Sequence, residues 1–293
     1  MTYGDEAALR HARHDLGDVT LHVVEAGPAD GPAVILLHGF PEFWWGWRHQ
    51  IGALAEAGFR VVAPDQRGYN TSGKPAGIEA YKASTLASDV VTLADALAIE
   101  RFGLVGHDWG GVVAFTAAAL HPRRVERLVV LNAPHPDTWA AYARSHPSQL
   151  FKSLYVGLFQ MPLLPEALLR ADGFRAMRRA LTGSSRPGTF TTPDLDRYAQ
   201  AWAQPGALSA MLNWYRALRL GHRPLPRIDA ETLVLWGTED RFLDRGLAEA
   251  ARERCRSARV DYRSASHWLQ AEEAAAVNAA LIGFLGGAET RGG

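Results

Sequence analysis

Short apolar runs rich in β-branched residues alternate with alanine-rich stretches of helical period, and this rhythm constrains the fold more than any other feature. The runs are VTLHVVEAG (19–27), AVILLHG (33–39), FRVVAPD (59–65), FGLVGHD (102–108), VERLVVLNA (125–133), ETLVLWG (231–237) and RVDYRSA (259–265). Near-continuous apolar runs are strands covered on both faces, hence an α/β fold with a mostly parallel sheet and helical crossovers. LASDVVTLADAL (86–97), VVAFTAAAL (112–120) and AAAVNAALIGFL (274–285) supply apolar residues at helical spacing. The run at 19–27 alternates apolar and polar residues and lies too close to its successor for a helical crossover, which predicts an antiparallel edge. Between Pro134 and Leu225 the rhythm stops: helical segments and turn signals such as GSSRPGTFTTPDLD (183–196) follow without a clear strand. So long a stretch is no loop in a compact domain. It reads as a helical insertion folded over the carboxyl ends of the sheet.

Composition narrows the class. Of 293 residues, 47% are hydrophobic and 21% charged, which suits a globular chain with a sizeable core. The 31 basic and 31 acidic residues balance, so nothing in the charge points to nucleic acid or an anionic membrane as partner. Only Lys74, Lys82 and Lys152 are lysines; the arginine and alanine excess resembles a GC-rich bacterial genome. A single cysteine, Cys255 in the helical-looking ARERCRSAR, excludes an intramolecular disulfide and a multi-cysteine metal site. MTYGDEAALRHARHD has no apolar segment of signal-peptide type, and no run reaches the roughly 18 apolar residues of a membrane span, so a cytoplasmic location is expected. His11 and His14 have helical i, i+3 spacing without a third ligand, which suits a solvated face. The closing GGAETRGG is expected to be disordered.

Residues 106–111, GHDWGG, end one apolar run and open a helical one. Glycines two positions either side of Asp108 permit a sharp strand–turn–helix elbow that presents the carboxylate on a strained tip. HGFPE (38–42) ends another strand, and the backbone N–H groups of Phe40 and Trp109 are placed to form an oxyanion hole. LVLWG runs into Thr238-Glu239-Asp240, and the last strand into Ser266-His267-Trp268. Nucleophile position, acid and histidine thus follow in order, each just past a strand.

With these residues in place the chain resembles an α/β-hydrolase-fold epoxide hydrolase over nearly its whole length. The family-like segments are HGFPEFWWGWR (38–48), DQRGYNTSGKP (65–75), GHDWGG (106–111), LNWYRA (212–217), LVLWGTED (233–240) and HWLQAEE (267–273). The family often has proline where this chain has Ala274, a helix-start position. The resemblance implies a core of residues 1–134 and 226–293, with a helical cap of residues 135–225 inserted after the sixth strand. It implies catalysis by Asp108, His267 and Asp240 with no metal or cofactor, and a pocket touched by His38, Pro41, Trp109 and Trp268. Asp65, Arg67 and Gly68 in DQRGYNTSG match the family too, and a role in holding a loop near the site is expected. Trp44, Trp45 and Trp47 either line the pocket or pack under the cap.

An aspartate at the elbow signals a different chemistry from serine. With an ordinary pKa near ~3.9 it is anionic at neutral pH and attacks a saturated carbon directly, forming an ester. The histidine is then free to activate water against that ester, with Asp240 holding its tautomer. The departing atom separates the alternatives. A ring-opened epoxide leaves an alkoxide that needs a proton donor, which tyrosine in a dry pocket supplies. Tyr215 in MLNWYRA and Tyr155 in LYVGLFQMP match the family's two cap-tyrosine segments. Halide needs only N–H donors; Trp109 fits that role as well, but Phe40 stands where many haloalkane dehalogenases have asparagine. Fluoroacetate dehalogenases need arginines one and four residues past the nucleophile, where this chain has Trp109 and Val112. A receptor that binds without turnover is the third alternative, against which all three triad positions are filled. The expected partners are a small epoxide and water; monomer and homodimer stay open.

Overall fold

The computed structural model describes residues 9–287; residues 1–8 and 288–293, with the readings made for both termini, lie outside them. Eight strands form one sheet: β1 (Arg10–Asp15), β2 (Thr20–Ala26), β3 (Ala33–Leu37), β4 (Arg60–Pro64), β5 (Phe102–His107), β6 (Val125–Leu131), β7 (Glu231–Gly237) and β8 (Ala258–Arg263). Their spatial order is β1-β2-β4-β3-β5-β6-β7-β8, antiparallel across β1–β2 and β2–β4 and parallel elsewhere. Every residue of β5 is buried, as are Val34–Leu37 of β3 and Leu128–Leu131 of β6, the expected outcome for parallel strands covered on both faces.

The edge differs from expectation. β1 carries the polar sequence RHARHD, largely exposed, so hydrophobic patterning does not reveal it. His11 and His14 therefore sit on a strand, where i and i+3 point to opposite faces, not on a helix. Charged residues on an edge strand discourage pairing with other chains. With β1 counted, the insertion does follow the sixth strand.

The flanking helices are α1 (Arg48–Glu56), α2 (Ala83–Ala96) and α3 (Trp109–Leu120) in the first half. Inserted between β6 and β7 are α4 (Pro136–Ser145), α5 (Pro147–Lys152), α6 (Leu154–Phe159), α7 (Leu164–Ser184), α8 (Thr192–Trp202) and α9 (Ala207–Arg216). The chain closes with α10 (Gly246–Arg252), α11 (Leu269–Glu272) and α12 (Ala274–Leu285), which starts at the alanine that replaces the family's proline. α7 is broken at Ala171–Phe174, where three successive residues have positive φ. α8 is held by a capping box in which Thr191 and Asp194 bond each other's backbone N–H. Cys255 is buried just beyond α10. No described helix is long and apolar enough to cross a membrane.

Candidate active site

The elbow forms because β5 runs straight into α3. Asp108 is held at φ +52°, ψ −121°, a conformation that costs a non-glycine residue about 1–3 kcal/mol and persists only when its surroundings impose it. They do so through backbone contact: a Cβ on Gly110 would stand 2.1 Å from the Leu37 carbonyl oxygen, and one on Gly39 2.4 Å from the Asp108 Cβ. The two strand ends approach so closely that only glycine fits.

That closeness lets the Phe40 N–H donate to Asp108 Oδ1 at 2.8 Å. Trp109 N–H is the first amide of α3, where the helix dipole favours negative charge. On the other side of the carboxylate, His267 Nε2 lies 3.6 Å from Asp108 Oδ2, and its Nδ1–H donates to Asp240 Oδ2 at 2.7 Å. The order Asp108, His267, Asp240 is thus assembled in space. Burial by itself pushes the His267 imidazole down, but Asp240 and Asp108 outweigh it and raise its pKa to about 10. Burial likewise pushes the Asp240 carboxyl up; His267, Asn132 and the Phe242 amide outweigh that and hold it below the usual range. Its Oδ1 accepts from Phe242 N (2.7 Å) and Leu243 N (3.0 Å).

Asn132 was not foreseen. At the end of β6 it donates through Nδ2 to Asp240 Oδ2 and accepts from Gly237 N at 2.8 Å, so one amide ties β7 to its own acid. A buried network behind His267 was also missed. His107 Nε2–H donates to the His267 carbonyl (2.9 Å), and its Nδ1 meets Glu42 Oε2 (2.9 Å), while Tyr198 and Gln270 donate to the same carboxylate. Except for Tyr198 these residues lie inside quoted motifs, but their mutual contacts span 65 to 228 residues.

A cavity of about 500 Å³ opens from Asp108. Along one side run Trp109, Val112, Thr116 and Leu120, residues of one α3 face, so it extends for roughly 18 Å of helix. Tyr155 on α6 and Tyr215 on α9 line it opposite, their rings 5.9 Å apart. Tyr215 packs edge-on against Phe40 (5.2 Å) and Trp109 (5.1 Å). Gln160 donates to the Tyr215 carbonyl (2.8 Å), and Arg216 donates to Phe159 O (3.0 Å) and Met161 O (2.7 Å). The Phe-Gln-x-Pro segment therefore locks the two tyrosine helices together. Burial first, then the Asp108 charge, raises the Tyr155 pKa; burial, Tyr155 and Asp108 do the same for Tyr215, so both remain protonated donors.

Three expected pocket residues lie elsewhere. His38 is wholly buried behind its turn, with Nδ1–H donating to Gly39 O (3.1 Å) and Nε2 accepting from Gln66 N (3.0 Å); burial lowers its pKa, so it is neutral. Pro41 offers its carbonyl to Trp202 Nε1 at 2.6 Å, fastening the turn to α8. Trp268 is packed against His267 and Phe190 and donates to Ser184 Oγ at 2.9 Å. Each shapes the wall from behind because its polar atoms are taken up by the protein. Trp44, Trp45 and Trp47 are buried packing residues, Trp45 donating to Asp194 of α8 at 2.8 Å. Arg67 grips Asp89 at 2.6 and 2.8 Å and Asp18 at 2.8 Å, and its carbonyl accepts from Trp214, so this loop is structural as expected. Among the described residues no group of three or more His, Cys, Asp or Glu side chains is placed to hold a metal.

A mostly parallel eight-stranded sheet with an acid, a second acid and a histidine just past the ends of β5, β7 and β8 defines an α/β hydrolase. The sequence profile of the alpha/beta hydrolase fold matches residues 32–274. The AB hydrolase superfamily protein YfhM of Bacillus subtilis is 46% identical over 271 residues, spanning 91% of this chain and 94% of its own. Epoxide hydrolase 4 of Mus musculus is 39% identical, over 90% of this chain and 76% of its own. The crystal structure of the Bacillus megaterium epoxide hydrolase with an inhibitor superposes with a TM-score of 0.86 at 30% identity, over 94% of this chain and 100% of that one. The chain belongs to the α/β-hydrolase family, together with its epoxide hydrolases.

Proposed function

We propose that the protein hydrolyses small-molecule epoxides to vicinal diols, with residues 135–225 as a cap over a core of residues 1–134 and 226–293. What carries this reading is the placement of two protonated phenols, Tyr155 and Tyr215, on the same cavity as the Asp108 carboxylate. In the first step an Asp108 oxygen attacks a ring carbon, the C–O bond of the ring breaks, and a tyrosine hydroxyl gives its proton to the departing oxygen. The His267 imidazolium returns a proton to the tyrosinate. Asp108 is now a neutral ester, so His267 has lost one of its two anionic neighbours and its proton affinity falls toward that of a base.

In the second step His267 takes a proton from water, and the oxygen attacks the ester carbonyl. The Phe40 and Trp109 N–H groups hold the resulting oxyanion. Collapse expels the diol oxygen, which takes a proton, and restores the Asp108 carboxylate; one proton remains on His267. Atoms and charges return to the starting state. Asp240, with Asn132 and two backbone amides, keeps the His267 Nδ1–H directed inward throughout. A bacterial source belongs to the same proposal and rests on the arginine and alanine excess alone.

The test is His267→Gln treated with styrene oxide. Intact-protein mass spectrometry is expected to show the protein heavier by one epoxide, with the adduct on the peptide carrying Asp108. An unmodified protein under these conditions overturns the covalent route. Haloalkane dehalogenation is the second reading, favoured by Trp109 facing the cavity; halide release from 1-bromobutane without diol formation from styrene oxide would select it.

A further inference from the structure

Asp240 begins a loop whose backbone is bonded from two directions. Its Oδ1 takes the amides of Phe242 and Leu243, and its Oδ2 takes Asn132 and His267, so the loop's N–H groups turn toward the carboxylate. The carbonyls of the same loop are taken by α5 of the insertion. Lys152 Nζ donates to Asp240 O at 2.9 Å and to Leu243 O at 3.4 Å, and it pairs with Asp244 Oδ1 at 2.9 Å. An ammonium has three donors, and this one finds three acceptors on a single five-residue loop. Gln149, fully buried, donates through Nε2 to Phe242 O at 3.0 Å and accepts the Asp244 amide on Oε1 at 2.7 Å. Ser148 donates to the other Asp244 oxygen. The inserted helix thus closes around the loop that carries the second acid.

The same segment carries a proton donor. Tyr155 follows Lys152 by three residues, and the Phe242 ring of the clamped loop stands 6.2 Å from Tyr155 and 5.2 Å from His267. Resting on the epoxide hydrolase reading above, we propose that Lys152 is a positioning residue for the second step: from the cap it fixes the loop that aims Asp240 at His267 Nδ1. Without the ammonium two carbonyls and a carboxylate lose a charged donor, and Asp240 loosens from the imidazolium that forms as water attacks the ester. Attack by Asp108 makes no demand on that ion pair. Tyr155 stays in place, because Gln160 and Arg216 pin α6 to α9 from its other end. Loss of the clamp therefore slows ester hydrolysis and spares alkylation.

Rapid-quench mass spectrometry with styrene oxide on wild type, Lys152→Met and Lys152→Arg tests this, with circular dichroism to verify that each variant folds. Lys152→Met is expected to alkylate within about threefold of the wild-type rate and to hydrolyse the ester about tenfold more slowly, so that alkylated protein accumulates. Lys152→Arg keeps the charge and the donors and is expected to recover hydrolysis to within about threefold of wild type. Unchanged hydrolysis in Lys152→Met, or equal slowing of both steps, overturns the proposal. So does a lower urea midpoint with no split between the steps, which marks a purely structural contact. If His267→Gln gains no ester, the reading of the reaction itself fails; if it does and Lys152→Met hydrolyses the ester normally, only the clamp fails.

Discussion

Replacing Asp240 by asparagine separates the two halves of the proposed reaction. The carboxylate accepts from His267 Nδ1, Asn132 Nδ2 and the amides of Phe242 and Leu243. An asparagine has one acceptor oxygen for these four donors, so its NH₂ must face either the backbone amides or the His267 and Asn132 donors. A charge-assisted bond contributes about 1.5–3 kcal/mol, and the imidazolium formed as water attacks loses both this bond and the buried charge that favours it. With the tautomer no longer fixed, the barrier to ester hydrolysis is expected to rise by about 4–5.5 kcal/mol, a slowing of about 10³–10⁴-fold. Attack by Asp108 needs no proton transfer to His267, so alkylation is expected to slow less than about tenfold. Rapid-quench mass spectrometry of Asp240→Asn with styrene oxide is therefore expected to show a stoichiometric burst of alkylated protein followed by slow diol release. Equal slowing of both steps, with no accumulated ester, would refute the assignment of Asp240 to the second step.

Tyr155→Phe and Tyr215→Phe are each expected to lower kcat/KM for epoxides by about 10²-fold, and together to abolish alkylation while leaving 1-bromobutane attack measurable; equal loss toward both substrates would remove their role as proton donors. His267 has a folded-state pKa raised from 6.5 to about 10. Its contribution to stability is thus complete below about pH 6.5 and lost as pH rises through about 10. The denaturation midpoint of wild type relative to His267→Gln is expected to fall over that window, and a pH-independent difference would contradict the ion-pair geometry. Arg67→Met leaves the buried Asp89 carboxylate unpaired and is expected to cost about 3–5 kcal/mol of stability, read by urea unfolding.

How much of this was legible before folding depends on range. GHDWGG, HGFPE, TED and SHW each sit where a strand stops, so their placement at one sheet edge follows from the strand rhythm alone. β1 was invisible because an exposed edge strand carries no apolar period. Asn132 and the His107–Glu42 pair were within view as letters, but nothing local says that Asn132 reaches Asp240 or that His107 reaches the His267 carbonyl. His38, Pro41 and Trp268 flank functional positions in sequence and yet turn away from the cavity, since adjacent residues on a turn point in different directions.

By itself the sequence determined the fold family, the insertion after the sixth strand and the order of nucleophile, acid and histidine, because strand period and strand-end chemistry are local properties. Only the tertiary structure decided which side chains face the cavity, how Gln160 and Arg216 bind the two tyrosine helices together, and that the outer face of the inserted helices is left apolar. These depend on where distant segments come to rest against one another, which packing selects and no neighbouring residue encodes.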